Sequence, residues 1–317
     1  MHPFILRTFA HIHYIVISAN GRKNTVGGQA IIEGVMMRGK QKVSLAVKRP
    51  SGEITVESTT FISAAKKHRI LGMPIARGAV NLFESLIIGY RALNRSAELA
   101  FEETPKNKPA TIKEKASSAL SLIIALSFSI ILFMFLPMWV LSNFVPKESA
   151  LLFNALAGAL RIVLFLAYLL LISLWKDMRR VFEYHGAEHK AIFTYESGQD
   201  LSIGNMRKQS RFHPRCGTSF LLLVALVCIF LFSIIDALVI HYIGPYPSIL
   251  IRLLTHLALV PVVAGISYEA LKASFNFQDV PLISMLIKPG LALQSITTRE
   301  PDDAQIEIAA SALRAAV

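Results

Sequence analysis

Ser118 to Leu141 reads SALSLIIALSFSIILFMFLPMWVL, twenty-four residues without a charged side chain. At 1.5 Å of rise per residue, about 20 apolar residues cross the roughly 30 Å hydrocarbon core of a bilayer. This run therefore predicts a transmembrane helix, and three more follow, at Ala150–Trp175, Thr218–Ile240 and Ser248–Tyr268. The links between the first and second runs and between the third and fourth are short, so the four pair into two helical hairpins. Composition agrees. In 317 residues, 53% hydrophobic content and a mean hydropathy of +0.50 exclude an ordinary soluble two-domain protein.

Basic residues set the expected orientation. Of 33 Lys and Arg, 18 precede the first run, 8 lie in the 176–217 link and 4 follow residue 266, leaving Lys147 alone in the two opposite links. Cytoplasmic loops carry the excess of Lys and Arg, so both ends are expected in the cytoplasm and the location is a bacterial inner membrane. The net charge of +12 is thereby explained by topology and by anionic lipid as partner, and nucleic-acid binding is not expected. With only Cys216 and Cys228 present, no disulfide framework is implied. Met1–Asn20 holds Arg7, His11 and His13 and lacks a small-residue cleavage pattern, so it reads as an interfacial segment rather than a signal peptide.

The expected fold is mainly α: a four-helix transmembrane bundle with a small cytoplasmic module that contains a β-hairpin. An interfacial segment (1–23) precedes that module (24–103), and a linker (104–117) leads into the membrane region (118–268), with helices at 118–141, 150–175, 218–240 and 248–268. The 176–217 link and a C-terminal segment (269–317) complete the cytoplasmic face. Within the module, Val43, Leu45 and Val47, then Ile54 and Val56, alternate around Pro50-Ser51-Gly52 and predict the hairpin. Val80, Phe83, Leu86, Ile87, Tyr90 and Leu93 recur at helical spacing and predict an amphipathic helix lying on the membrane or against the bundle. Gly27, Gly28, Gly34 and Gly39 read as turn and bulge positions, since no Gly-Lys-Ser/Thr follows to make a phosphate cradle.

Arg161, Asp236, Arg252 and His256 fall inside the apolar runs, where ionisable side chains are costly and face the bundle interior. Asp236 and Arg252 lie at matching depths and are expected to pair. Arg161 has no acidic residue at its depth and, with His256, keeps a transport reading open. Four helices enclose little pathway, so transport would need a homo-oligomer.

The 176–217 link carries the chemistry. His185 and His189 are four apart, one above the other on a helix face, a spacing by which two imidazoles share one metal. His213 and Cys216 are three apart and complete a four-ligand set suited to Zn²⁺, which accepts both imidazole and thiolate. His185, Glu188 and His189 also spell the His-x-x-Glu-His of inverted zinc peptidases. In that pattern Glu188 acts as general base and a distant carboxylate, here Glu269, supplies the third ligand. Four protein ligands would make the metal structural, whereas three leave a position for reaction.

Three motifs together resemble the YqhQ-like family of bacterial membrane proteins: Gly27-Gly28-Gln29-Ala30-Ile31-Ile32-Glu33-Gly34-Val35-Met36-Met37-Arg38-Gly39, Glu183-Tyr184-His185-Gly186-Ala187-Glu188-His189-Lys190, and Arg211-Phe212-His213-Pro214-Arg215-Cys216. Thr297-Thr298-Arg299-Glu300-Pro301 adds a fourth. The resemblance implies a metal-dependent enzyme with no assigned reaction. The leading expectation is a hydrolytic enzyme at the cytoplasmic face, acting on a membrane-protein or peptide substrate, with Gln29, Glu33 and Arg38 covering the pocket. The alternative is a membrane assembly factor stapled by a structural metal.

Overall fold

The computed structural model describes residues 26–101, 112–146, 149–214, 216–276 and 281–317. The expected interfacial segment 1–23, most of the linker 104–117, Lys147 and Arg215 lie outside these residues.

Among the described residues, four helices are long and apolar enough to cross a bilayer, at Ala116–Ser142, Ala150–Ser173, Val224–Tyr242 and Ile249–Ala270. The first crossing is composite: α3 (Ile112–Ile130), a π-turn (Ile131–Phe135) and α4 (Leu136–Ser142). Pro137, at the start of α4, has no N–H to offer the preceding turn, and the wider π-turn takes up the mismatch. The others are α5 (Ala150–Ser173), α8 (Gly217–Tyr242) and α9 (Ile249–Asn276). Close packing is made by small residues: a Cβ on Gly158 of α5 would fall 2.1 Å from the Ile229 side chain of α8.

At one end of the bundle sits a four-stranded antiparallel meander, β1 (Gly27–Ile31), β2 (Gly34–Arg38), β3 (Lys42–Lys48) and β4 (Ile54–Thr60), in sequence order. The expected hairpin is β3–β4, turning at Gly52 with φ +88°. One sheet face packs Ile31, Met36 and Val47 against Ala92 and Leu99 of α2 (Ala76–Phe101). The other packs Val35, Met37 and Ala46 against α6 (Lys176–Glu196) and α11 (Asp303–Ala316). Ser44 donates its hydroxyl to the Ala312 carbonyl at 2.5 Å, tying β3 to α11. The sheet is thus the middle of three layers, and the C-terminal residues, expected as a separate segment, form one of the outer layers.

Helix α5 ends at Ser173 and the backbone turns extended at Trp175 (φ −77°, ψ 133°), so α6 leaves the bundle axis and runs along the sheet. The 176–217 link is therefore largely helical, with short α7 (Ile203–Lys208) after α6. Helix α10 (Pro281–Thr297) packs against α8 and α5 and ends beside α6, bringing the 297–300 segment to the junction of bundle and sheet. Asp302 caps α11 through a reciprocal pair with Gln305.

Candidate metal centre

Helix α6 presents His185, Glu188 and His189 toward the junction, at spacings that place them on one helical face. Gly186 lets the chain at Arg299 lie directly on that helix, and the Arg299 N–H donates to the Phe182 carbonyl at 2.8 Å. That contact brings the Thr297 carbonyl to 2.8 Å from Nδ1 of His185. On the other side, the Arg211 carbonyl takes a short hydrogen bond from Nδ1 of His189. Its segment is held by buried Lys190, whose ammonium donates to the carbonyls of Arg207 and Gln209 at 3.2 and 2.8 Å and pairs with Glu300 at 3.0 Å.

Carbonyls only accept. Both Nδ1 atoms therefore carry a proton, so Nε2 is the nitrogen of each ring that faces the junction and can take a metal once it is free of its own proton. Cys216, at the N-cap of α8, meets them there, with its Sγ 3.2 Å from Nε2 of His185. The ligand atoms of His185, His189 and Cys216 lie within 4.8 Å of one another. Burial opposes ionisation of the Cys216 thiol, but the two adjoining imidazoles outweigh it and hold the thiol well below its ordinary range. Burial likewise disfavours charge on His185, yet the thiolate and Glu188 raise it to about 9. A thiolate between two imidazoles is a charge arrangement ready to take a soft or borderline cation.

Glu188 is buried beside the cluster. Its carboxylate lies 3.8 Å from Nε2 of His185 and accepts the backbone N–H of Gly28 on β1. Burial is the dominant influence and raises its pKa above the ordinary carboxylate value.

Three of the five expected metal ligands come together, and two do not. His213 sits behind His189, ring centroids 5.6 Å apart, with its Nε2 3.5 Å from Glu196 and its backbone clamped on both sides by the Gln294 amide at 2.8 Å. Burial pushes its pKa down to about 4, so it stays a neutral wall. Glu269 is engaged elsewhere, in a bidentate pair with Arg77 on α2. Among the expected pocket residues, Gln29 faces α2, where it touches Gly89. Arg38 bonds Glu84 at 3.3 Å and lies over the Phe61 ring. Glu33 holds α6 by a bidentate pair with Arg180 and a 3.3 Å bond from the Tyr184 hydroxyl. The N-terminal residue that reaches the cluster is Gly28, whose signal was the Gly27-Gly28 pair at the start of the motif.

Within the bundle, Asp236 is fully buried and accepts from Arg252 and Asn154 at 2.8 Å and from the Tyr246 hydroxyl at 2.9 Å, with Nε2 of His256 also at 2.9 Å. Arg252 and Asp236 thus pair as their depths indicated. Two buried guanidinium nitrogens of Arg161 find no hydrogen-bond partner among the described residues.

Residues 73–317 match the family model described as a protein of unknown function, DUF1385. The chain belongs to this family. It is 33% identical over 297 residues to the uncharacterized protein YqhQ of Bacillus subtilis (strain 168), covering 89% of each chain. No solved structure gives a significant match. The DUF1385 match takes in α6, the Cys216 segment and the Thr297–Glu300 segment, so the whole ligand cluster falls within the shared region, while β1 and Gly28 precede it.

Proposed function

We propose that this chain is a membrane-embedded, metal-dependent enzyme of hydrolytic type, in which His185, His189 and Cys216 hold one divalent cation and Glu188 is the general base. The observation that carries it is the pair of carbonyls, Thr297 and Arg211, that orient both imidazoles through Nδ1 so that two Nε2 atoms and the Cys216 sulfur converge. Such outer-shell carbonyls are the usual companions of metal-bound histidines. The nitrogen and sulfur donor set favours Zn²⁺. When bound, such a cation supplies Lewis acidity that lowers the pKa of water and polarises a substrate oxygen. Three protein donors leave a fourth position, which marks catalytic rather than structural zinc.

The chain's own groups do the rest. Glu188 accepts a proton at its carboxylate, its basicity raised by burial and its position fixed by the Gly28 N–H. His213 and Phe193, whose rings lie 4.5 Å apart, close the site from water on the far side. The bias of Lys and Arg toward the sheet end supports a site at the cytoplasmic face of a bacterial membrane.

One observation favours the assembly-factor reading: the cluster joins α6, the start of α8 and the 297–299 segment, where a metal would staple sheet to bundle. Metal content and hydrolytic profiling of the detergent-purified full chain discriminate. Glu188→Gln retains about one equivalent of metal and loses turnover of ester, amide and phosphoester probes if the metal is catalytic. Metal-free wild-type protein whose stability is indifferent to chelators would overturn both readings.

A further inference from the structure

A cleft of about 730 Å³ opens where the sheet meets the end of α9, and its walls carry Arg38, Lys40, Lys66, Arg77 and Lys272. Two of these charges are matched, Arg38 by Glu84 and Arg77 by Glu269. Lys40, Lys66 and Lys272 have no ion pair within 4 Å among the described residues, and although Glu269 also attracts Lys272, five cations against the carboxylates of Glu84 and Glu269 leave the cleft a net three positive charges. Neutral donors stand between them, in the amide of Asn81 and the hydroxyls of Ser85 and Tyr268. The volume is that of a small-molecule site, and the chemistry is that of a phosphate receptor, with lysines as point charges and hydroxyl and amide groups completing the shell.

Position narrows the ligand. Tyr268 lies inside the apolar span Ile249–Ala270, and Lys272 follows it by one helical turn. A tyrosine and a lysine at the end of a crossing mark the headgroup level of the bilayer. Beside the cleft, the short segment after α1 (Ala64–Lys67) exposes 76% of Ile70 and 56% of Met73. This lip is held firmly. Ile75 adopts φ +69°, unfavourable for a β-branched residue, while its N–H bonds the Glu269 carboxylate and its carbonyl lies against Gly265 of α9. A basic cavity at headgroup depth with an apolar rim has the shape of an amphiphile's binding site rather than that of a soluble anion.

We propose that this cleft binds the headgroup of a phosphate-bearing anionic lipid, with its acyl chains against the Ile70–Met73 lip. Gly27 also lines the cleft and is the neighbour of Gly28, but the site stands independently of any metal at the cluster.

The test uses the full chain in nanodiscs containing phosphatidylglycerol or phosphatidylcholine, with and without chelator, and native mass spectrometry to count retained lipid. Near an anionic surface each lysine is worth roughly five-fold in affinity, so Lys40→Ala/Lys66→Ala/Lys272→Ala is expected to cost on the order of 100-fold for phosphatidylglycerol. All three lysines are exposed, and removing them leaves the core intact. A control of equal charge, Lys48→Ala/Arg91→Ala/Lys208→Ala, is expected to stay within about three-fold, since none of the three lines the cleft and solvent screens exposed charges. Equal losses in the two variants would overturn the proposal by reducing it to general membrane attraction. So would displacement of the lipid by glycerol 1-phosphate binding as tightly, which would mark a soluble phosphate ligand. Retention unchanged by chelator separates this site from the metal reading.

Discussion

A Cβ on Gly186 would stand 2.0 Å from the carbonyl oxygen of Arg299. The obstacle is backbone, held by the Arg299 N–H bond to Phe182, so neither side can step away cheaply. Gly186→Ala is therefore expected to destabilise by about 1–3 kcal/mol or more, the range for overpacking a fixed contact, and to pull the Thr297 carbonyl off His185. Gly204 in α7 has open space around it, and Gly204→Ala should be neutral or stabilising by about 0.5–1 kcal/mol. Thermal unfolding of both variants in the same detergent reads the contrast.

Gly28 poses a different case. A Cβ there would fall 2.7 Å from Oε1, 2.8 Å from Cγ and 2.9 Å from Cδ of Glu188, a side chain rather than a main chain. A side chain can shift where a hydrogen-bonded backbone cannot, so Gly28→Ala should cost less stability than Gly186→Ala, about 0.5–2 kcal/mol. It also displaces the proposed base from its N–H donor. Retained metal with turnover reduced by roughly 10² or more, the range for general-base loss, is the expected outcome in metal analysis and activity profiling. A stability loss matching that of Gly186→Ala would show that the carboxylate is immobile.

The crossings were legible because bilayer thickness imposes a length on apolar runs, and β3–β4 because the large apolar side chains Val43, Leu45 and Val47 share the face turned to α2, while the small Ser44 and Ala46 between them face the other way. Strands β1 and β2 carried no such signal. Met36 and Met37 are both buried, on opposite faces, so β2 does not alternate. The seating of α11 on the sheet was not legible, since nothing local in Ser44 names Ala312, 268 residues away, as its acceptor. At the site, the His185–His189 spacing and the nearness of Cys216 to a helix start were readable. Glu269 was placed by depth alone, and depth along a helix does not fix the direction a side chain faces. Arg77, which takes it, lay in an element whose seat against α9 depends on a Gly78–Gly265 contact that periodicity cannot reveal.

Asp236 collects donors from two helices and a loop residue, and Arg252 is its buried cation. Removing one partner of such a pair leaves a charge with no solvent, at a cost of about 3–5 kcal/mol. Asp236→Asn should therefore unfold the bundle at markedly lower temperature or denaturant. Asp236→Asn/Arg252→Met removes both charges and should recover much of that loss, as apolar replacements of buried pairs do. Additive losses in the double variant, measured by denaturant unfolding in mixed micelles, would show that the two residues do not act as a pair.

Metal removal tests the cluster directly. A ligand at 100 times its dissociation constant stabilises by about 2.7 kcal/mol, so chelation should lower the unfolding temperature of the wild type by several degrees and leave Cys216→Ser nearly unmoved. Cobalt offers a spectroscopic reading that needs no substrate. With a thiolate donor it gives a near-ultraviolet charge-transfer band, expected in the wild type and in Glu188→Gln and absent in Cys216→Ser. His213→Ala should keep the band, because that ring lies behind His189 rather than among the converging donors. Loss of the band in His213→Ala would make the site four-coordinate from protein alone, close its reaction position and turn the balance to a structural metal.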